Sequence, residues 1–555
     1  MQRVDHRLCI HHWCRICCIG LFWIMLAAPL VVMGVMPVKT VSQNENRNLA
    51  EFPKLQANRL NAYFRGIESY WNDHIGFRDA LTFIYNYILW AGFDQSGFSW
   101  VTVGKSGWFF FGGDQSNEDV LGKVVLRDAD LKQWAGVIQA KKDWFDRQNI
   151  RYVFVLAPNK QSVYPEYLPD WMRRHAVSVR RIDRLVEVLR KHTDVEIIDL
   201  RDALLREKDR EPVFFRTDSH WNWQGAYAAY RQVIDRLHDW FPDMEPLPKS
   251  RMTEIVRDFR HGDLRMGLDG VIWEKERVWL PAEPCSKWNG TAFDRYLYEK
   301  RCGTGRTRAI VLRDSYMDFV EPYLSEHFGD VVYIWKRWAE DSGTEHRLYK
   351  EWIEKMRPDL VIEERVERLV GQIPAVTMEQ RFDYADPVLG HWDGTIGFDG
   401  IEPYHQVRLE PENGGLLIFA TGNDPGVRLP EMGQNTGPLI IRIEIESPAD
   451  TVLQMFYATD EKSGYSEAKS RKMSLEKGVN TVFLCIEEPA IQGQLRLDPG
   501  YAIGTYRLQS IEIRKDQVAS LLQAYDAGRM SSHARSQMGT SRRRVGSTMG
   551  SAHNP

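Results

Sequence analysis

Three residues of this chain have the types and spacing that acyl transfer needs. Asp218 and His220 lie two apart in Thr217-Asp218-Ser219-His220-Trp221-Asn222, just after the apolar Val213-Phe214-Phe215. A carboxylate and an imidazole at that spacing meet across a tight turn. The carboxylate accepts the Nδ1–H, fixes the tautomer and stabilises the charged ring, as a histidine general base requires. A serine further on supplies the nucleophile. Ala309-Ile310-Val311-Leu312 reads as a short buried strand, Arg313-Asp314-Ser315-Tyr316 follow, and Met317, Phe319, Val320, Tyr323 and Leu324 fall at helical spacing. Ser315 on such a strand-to-helix turn exposes its hydroxyl and places its N–H at a helix N-terminus, where an oxyanion is favoured. Spacing alone does not separate this from a chance Asp-x-His pair and an ordinary serine N-cap.

The elements that must position these residues alternate. Helices are expected over residues 130–149, 177–192, 223–240, 317–328 and 348–356. Strands are expected over 151–157, 195–200, 309–312, 331–335 and 360–363. That order implies an α/β fold, a parallel sheet with helices on both faces. In open sheets of this kind, sites gather at the carboxyl ends of strands. Asn159 and Lys160, just past the apolar run that ends at Ala157, are placed to line such a site; a polar loop is the plain alternative. Upstream, 60–90 reads as an amphipathic helical run and 101–111 as a hairpin. Gly104-Lys105-Ser106 is not a phosphate loop, because position 99 is Ser where the pattern needs Gly. Residues between 241 and 308 show no regular pattern.

The Asp-x-His-Trp element followed by a serine on a strand–turn–helix resembles the SGNH-hydrolase-like domain of bacterial alginate O-acetyltransferases, the AlgX/AlgJ type. Ordinary SGNH hydrolases run serine first; the order Asp218, His220, Ser315 is that of the permuted family. Two further segments match it: Asn46-Arg47-Asn48-Leu49-Ala50 with Phe52-Pro53, and Asp73-His74-Ile75-Gly76-Phe77-Arg78. The resemblance spans roughly residues 44–370. It implies a polysaccharide O-acetyltransferase in which Ser315 attacks, His220 moves the proton and Asp218 orients His220. Arg313, Asn159, Lys160, Arg78 and Tyr316 are the candidates for oxyanion or substrate binding. Arg313 stands where SGNH hydrolases carry Gly, so it either crowds the oxyanion hole or lends it positive charge. The resemblance implies no metal or soluble cofactor, and an acetyl donor supplied by a partner such as a membrane-bound O-acyltransferase. A carbohydrate esterase with the same triad and a non-catalytic polysaccharide-binding scaffold are the rival readings.

Residues 17–36 carry no charge and are about long enough to span a bilayer. Arg3, Arg7 and Arg15 precede them, which places residues 1–16 in the cytoplasm. Pro29 and the apolar run after it favour an uncleaved signal anchor over a signal peptide cut near Ala27-Ala28. The expected location is the bacterial inner membrane, single-pass, with a catalytic domain (37–375) in the periplasm. Cys9, Cys14, Cys17 and Cys18 lie in or beside the anchor; with His11 and His12 they could form a metal cluster, but a juxtamembrane segment with reduced thiols is the plainer reading, since no metal-site spacing repeats elsewhere. Cys285 and Cys302 are candidates for a disulfide in an oxidising compartment, and Cys485 for a buried free thiol. From residue 376, short alternating runs separated by Gly, Asn, Asp and Pro read as a β-sandwich to 516. By the resemblance it is carbohydrate-binding, with Trp392, Tyr404, Tyr457 and Tyr465 as candidate sugar platforms. Residues 517–555 are expected to be a disordered tail. The net charge of −4 favours neither nucleic acid nor a polyanion.

Overall fold

The computed structural model describes residues 6–35, 37–42, 47–55, 59–260, 262–268, 271–290, 294–341, 343–434, 436–459 and 464–528. Helix α1 (His6–Val35) contains a stretch, Ile16–Val35, that is long and apolar enough to cross a membrane. The run expected to be one helix over 60–90 is two, α2 (Leu60–His74) and α3 (Arg78–Phe93). The break has a local cause. Phe77 takes a left-handed conformation (φ 62°), and Gly76 donates its N–H to the Pro29 carbonyl of α1 at 3.1 Å. A hairpin of β1 (Val101–Val103) and β2 (Phe109–Phe111) follows.

The central elements run α4 (Asp128–Asp146), β3 (Arg151–Ala157), α5 (Lys160–Val163), α6 (Arg181–His192), β4 (Glu196–Asp199), α7 (Trp223–Leu237), β5 (Met252–Phe259), β6 (Glu274–Pro281), β7 (Ser286–Trp288), β8 (Leu297–Cys302), β9 (Thr307–Arg313), α8 (Met317–Leu324), β10 (Phe328–Trp335), α9 (Glu345–Met356) and β11 (Leu360–Val366). The seven-stranded sheet has the order β4-β3-β11-β9-β10-β8-β7. Its first five strands are parallel, and β8 and β7 add an antiparallel edge. The pleat splits each strand between two cores. Val153, Val155 and Ala157 of β3 face Tyr230 and Val233 of α7 and Val320 of α8. Tyr152, Phe154 and Leu156 face Trp134 of α4, Leu185 of α6 and Trp352 of α9.

Sequence and structure differ in the stretch 241–308. It holds the paired strands β5 and β6 and the edge strands β7 and β8. Most of β5 is exposed and carries Glu254, Arg257 and Asp258, so no apolar alternation marked it. Cys285 and Cys302 are joined in a disulfide. Cys485 is half-buried rather than buried.

The C-terminal region is β-rich, with a six-stranded and a five-stranded sheet packed around Ile418, Ile441, Met455, Leu484, Leu497 and Ile511. Tyr457 is part of that core and presents no ring to solvent. Residues 517–526, expected within the disordered tail, form helix α11 (Gln517–Asp526) after α10 (Met378–Tyr384). Val518 enters the α4 core, Leu521 and Leu522 pack on it, and Gln517 donates to Asp143 of α4 at 3.1 Å. These few apolar residues suffice to return the chain to the first domain. The rest of the expected tail, from residue 529, lies outside the described residues.

The disulfide closes a loop across 17 residues at the sheet edge. Removing it by the double change Cys285→Ser and Cys302→Ser should cost about 3 kcal/mol. A lower urea midpoint, matched in the unchanged protein by added reductant, checks this.

Candidate active site

The histidine loop is a tight reversal. Phe214 and Trp221 form an antiparallel bridge, and Asn222 caps α7 by accepting the Gly225 N–H at 3.0 Å. Gly225 is needed there, because a Cβ would lie 2.1 Å from the Val213 carbonyl oxygen. Within the loop, Asp218 Oδ1 accepts the His220 Nδ1–H at 2.7 Å and the His220 backbone N–H at 2.9 Å. That bond assigns the tautomer. His220 Nε2 then faces Ser315 Oγ at 2.7 Å and accepts its proton. The three expected residues are together, Ser315 on the turn after β9 and Asp218 and His220 in the loop before α7.

Tyr316 clasps the two loops. Its hydroxyl donates to the Ser219 carbonyl at 2.8 Å, and its own carbonyl accepts the Trp221 Nε1–H at 2.9 Å. Asp314 shapes the serine turn from below. Its carboxylate accepts the N–H of Tyr316 at 2.8 Å and of Val366 at 3.2 Å. The Asp314 N–H donates to Glu364 Oε2 at 2.9 Å. Burial, together with the charge of Asp314, holds the Glu364 carboxyl well above the usual range. Among the described residues, the Ser315 N–H has no hydrogen-bond acceptor.

Two residues of the site were missed by the sequence reading. Asp263 lies in the irregular stretch, with Oδ2 at 3.9 Å from His220 Nδ1. It accepts the Ser219 N–H at 2.6 Å, and its own N–H donates to Asp218 Oδ2 at 3.0 Å. Gly262 allows this approach, since a Cβ there would lie 2.3 Å from the Thr217 carbonyl oxygen. Gly262-Asp263 was the one signal available. Arg368 follows β11, its guanidinium 5.4 Å from the Tyr316 ring and 5.1 Å from the Phe111 ring. The oxygens of Asp218 and Asp263 and a nitrogen of His220 lie close enough for a metal. Hydrogen bonds already engage those atoms.

Four other expectations fare differently. Arg313 is buried beneath the turn and does not line the oxyanion site. It pairs with Asp318, donates to the Arg295 carbonyl at 2.7 Å and stacks 4.8 Å from the Trp335 ring. Lys160 is also buried, donating to the carbonyls of Phe109 at 2.7 Å and Arg216 at 3.3 Å. It braces the histidine loop and is not free to bind substrate; burial lowers its pKa to about 8. Arg78 begins α3, donates to the Asn72 carbonyl at 2.8 Å and lines a cleft with Val32 and Met33 of α1, apart from the site residues. Asn159 stands at the end of β3, with its N–H on Glu367 at 2.8 Å. That places it two strand spacings from Ser315, about 10 Å.

Burial pushes the His220 pKa down. The hydrogen bond and charge of Asp218, with the charge of Asp263, outweigh burial and raise it above the usual value, while Arg368 works against them. A base must be neutral to accept the serine proton, so ester turnover should rise as pH passes that pKa. Asp263→Asn should move the rising limb of kcat/KM to lower pH and Arg368→Gln to higher pH. Profiles measured with an artificial acetyl ester check both signs.

Residues 101–367 match a family model described as SGNH hydrolase-like domain, acetyltransferase AlgX. A probable alginate O-acetylase AlgJ of Pseudomonas fluorescens is 26% identical over 208 residues, 36% of this chain and 50% of its own. The corresponding protein of Pseudomonas aeruginosa is 28% identical over 149 residues, 26% of this chain and 36% of its own. The chain thus spans half or less of the length of these curated relatives. Among solved structures, Pseudomonas aeruginosa AlgX is 14% identical and covers 78% of this chain and 98% of its own, with a TM-score of 0.37. The segment that carries Asp218, His220 and Ser315 is thus similar to the SGNH hydrolase-like domain of the acetyltransferase AlgX.

Proposed function

We propose that the protein is an O-acetyltransferase that modifies an extracellular, alginate-like polysaccharide through an acyl-enzyme on Ser315. The observation that carries this reading is His220, with one ring nitrogen on Asp218 and the other on Ser315. The names of its relatives, alginate O-acetylases, support the substrate class. Ser315 Oγ attacks the acetyl carbonyl while its proton passes to His220 Nε2. His220 hands that proton to the departing donor. A sugar hydroxyl then gives its proton to His220 and attacks the acetyl-serine, and His220 returns the proton to Ser315 Oγ as it leaves. Asp218 stabilises the imidazolium in both halves. The Ser315 N–H faces the developing oxyanion, and Asn159 is the candidate for a second donor.

The steps use this chain's own residues, with no metal or soluble cofactor. A partner brings the acetyl group, and a membrane-bound O-acyltransferase fits that role. The apolar stretch of α1 anchors the protein in the inner membrane with residues 1–16 in the cytoplasm, and the chain from residue 37 lies in the periplasm, where the Cys285–Cys302 disulfide persists. The β-rich region holds the polysaccharide. Tyr404 is 40% exposed there, with the Arg428 guanidinium 4.1 Å from its ring and Tyr465 edge-on at 5.9 Å.

Treatment with an artificial acetyl ester should leave one acetyl adduct by intact mass, absent in Ser315→Ala. Alginate oligosaccharide should discharge it faster than water; equal discharge would make the protein an esterase. His220→Ala and Ser315→Ala should each remove most turnover, with the double variant little worse. Asp218→Asn should cost up to about four orders of magnitude through the wrong tautomer.

A further inference from the structure

Among the described residues, nothing covers the outer face of α3. The inner face of α3 is docked. Phe83 and Trp90 pack on Val101, Phe109, Leu264 and Met266, and Asn86 donates to the Met266 carbonyl at 2.8 Å. The outer face carries Leu81, Ile84, Tyr85 and Ile88, each between 51% and 57% exposed. Their spacing puts all four on one stripe of the helix. Phe64 and Trp71 of α2 are exposed too, with exposed Glu68 between them on the same face. Residues 80–93 contain no charged side chain. A helix that faced water would carry polar residues there; a contiguous apolar stripe marks an interaction surface.

Helix α1 indicates what covers it. Its apolar stretch, Ile16–Val35, has 20 residues and a mean hydropathy of 2.5. At the helical rise that is about 30 Å, the thickness of a bilayer's hydrocarbon core. The corner between α2 and α3 rests on this stretch. Gly76 donates to the Pro29 carbonyl, and a Cβ at Gly76 would lie 2.7 Å from Val32 Cβ. Pro29 precedes Val35 by six residues, which sets the corner roughly 9 Å inside the end of the span. An ion pair between Lys39 and Asp79 ties the start of α3 to the segment that leaves α1.

We propose that the outer stripe of α3 lies in the bilayer surface and forms a second membrane contact beside α1. The depth of the corner is that of an interfacial helix. The inner face of α3 holds the Leu264–Met266 loop that follows Asp263, and Asp263 holds Ser219 beside His220. One helix thickness, about 10 Å, then lies between the lipid and the loop that positions the site. The bilayer contact stands apart from the acetyl-transfer reading, and its test does not use turnover.

Full-length protein carrying photoreactive p-benzoylphenylalanine in place of Leu81, Ile84 or Ile88 is reconstituted in phosphatidylcholine–phosphatidylglycerol vesicles and irradiated. The same residue in place of Ile24 of α1 and of exposed Glu351 of α9 gives the two references. Intact mass should show phospholipid adducts at the three stripe positions as at Ile24, and none at Glu351. Absence of lipid adducts at the stripe, or chain-to-chain crosslinks there, overturns the proposal.

Discussion

The imidazole of His220 joins two segments that lie 95 residues apart in the chain. Its Nδ1–H is given to Asp218 and its Nε2 lies against Ser315, so the ring has one useful orientation. Most polar groups around the site serve to hold that orientation. Tyr316 ties the serine turn to the histidine loop twice, and Asp263 straps Ser219 and Asp218 from the other side. Lys160 fixes the chain just before Asp218. Each such bond contributes on the order of 1 kcal/mol net. Its larger effect is to exclude other loop conformations, because breaking one would strand a buried polar group.

Strand β11, the middle of the five parallel strands, carries charge into the interior on both sides of its pleat. Glu363 points to one core and is bound by Lys141 at 2.8 Å and by Lys336. Burial alone would raise its pKa, but the two lysines hold the carboxylate well below the usual range. Glu364 points the other way and accepts the Asp314 N–H beneath Ser315, its pKa pushed well above the usual range by burial and the charge of Asp314. Adjacent residues on one strand are thus shifted in opposite directions by their surroundings. The serine turn rests on this arrangement.

Much of this was legible in the sequence for a physical reason. Buried parallel strands such as Arg151–Ala157 are continuous apolar runs, and the acid–base pair sits in one short loop. Residues whose roles depend on long-range packing were not legible. Arg313 and Lys160 read as site cations, yet burial gives their charges to Asp318 and to backbone carbonyls. The cation at the site is Arg368, which nothing in its local sequence distinguishes. Asp263 hid in a stretch whose strands are polar and exposed. The break at Phe77 depends on Gly76 meeting α1, a contact that helical periodicity cannot express.

The central claim is that His220 activates Ser315. The most direct measurement is the rate at which phenylmethylsulfonyl fluoride labels the protein, followed by intact mass and mapped by peptide digestion across pH. The account predicts a single sulfonyl group on Ser315, a rate that rises through a pKa above the usual histidine value, and near-complete loss of labelling in His220→Ala. Labelling at another residue, or labelling of Ser315 at an unchanged rate in His220→Ala, would contradict it.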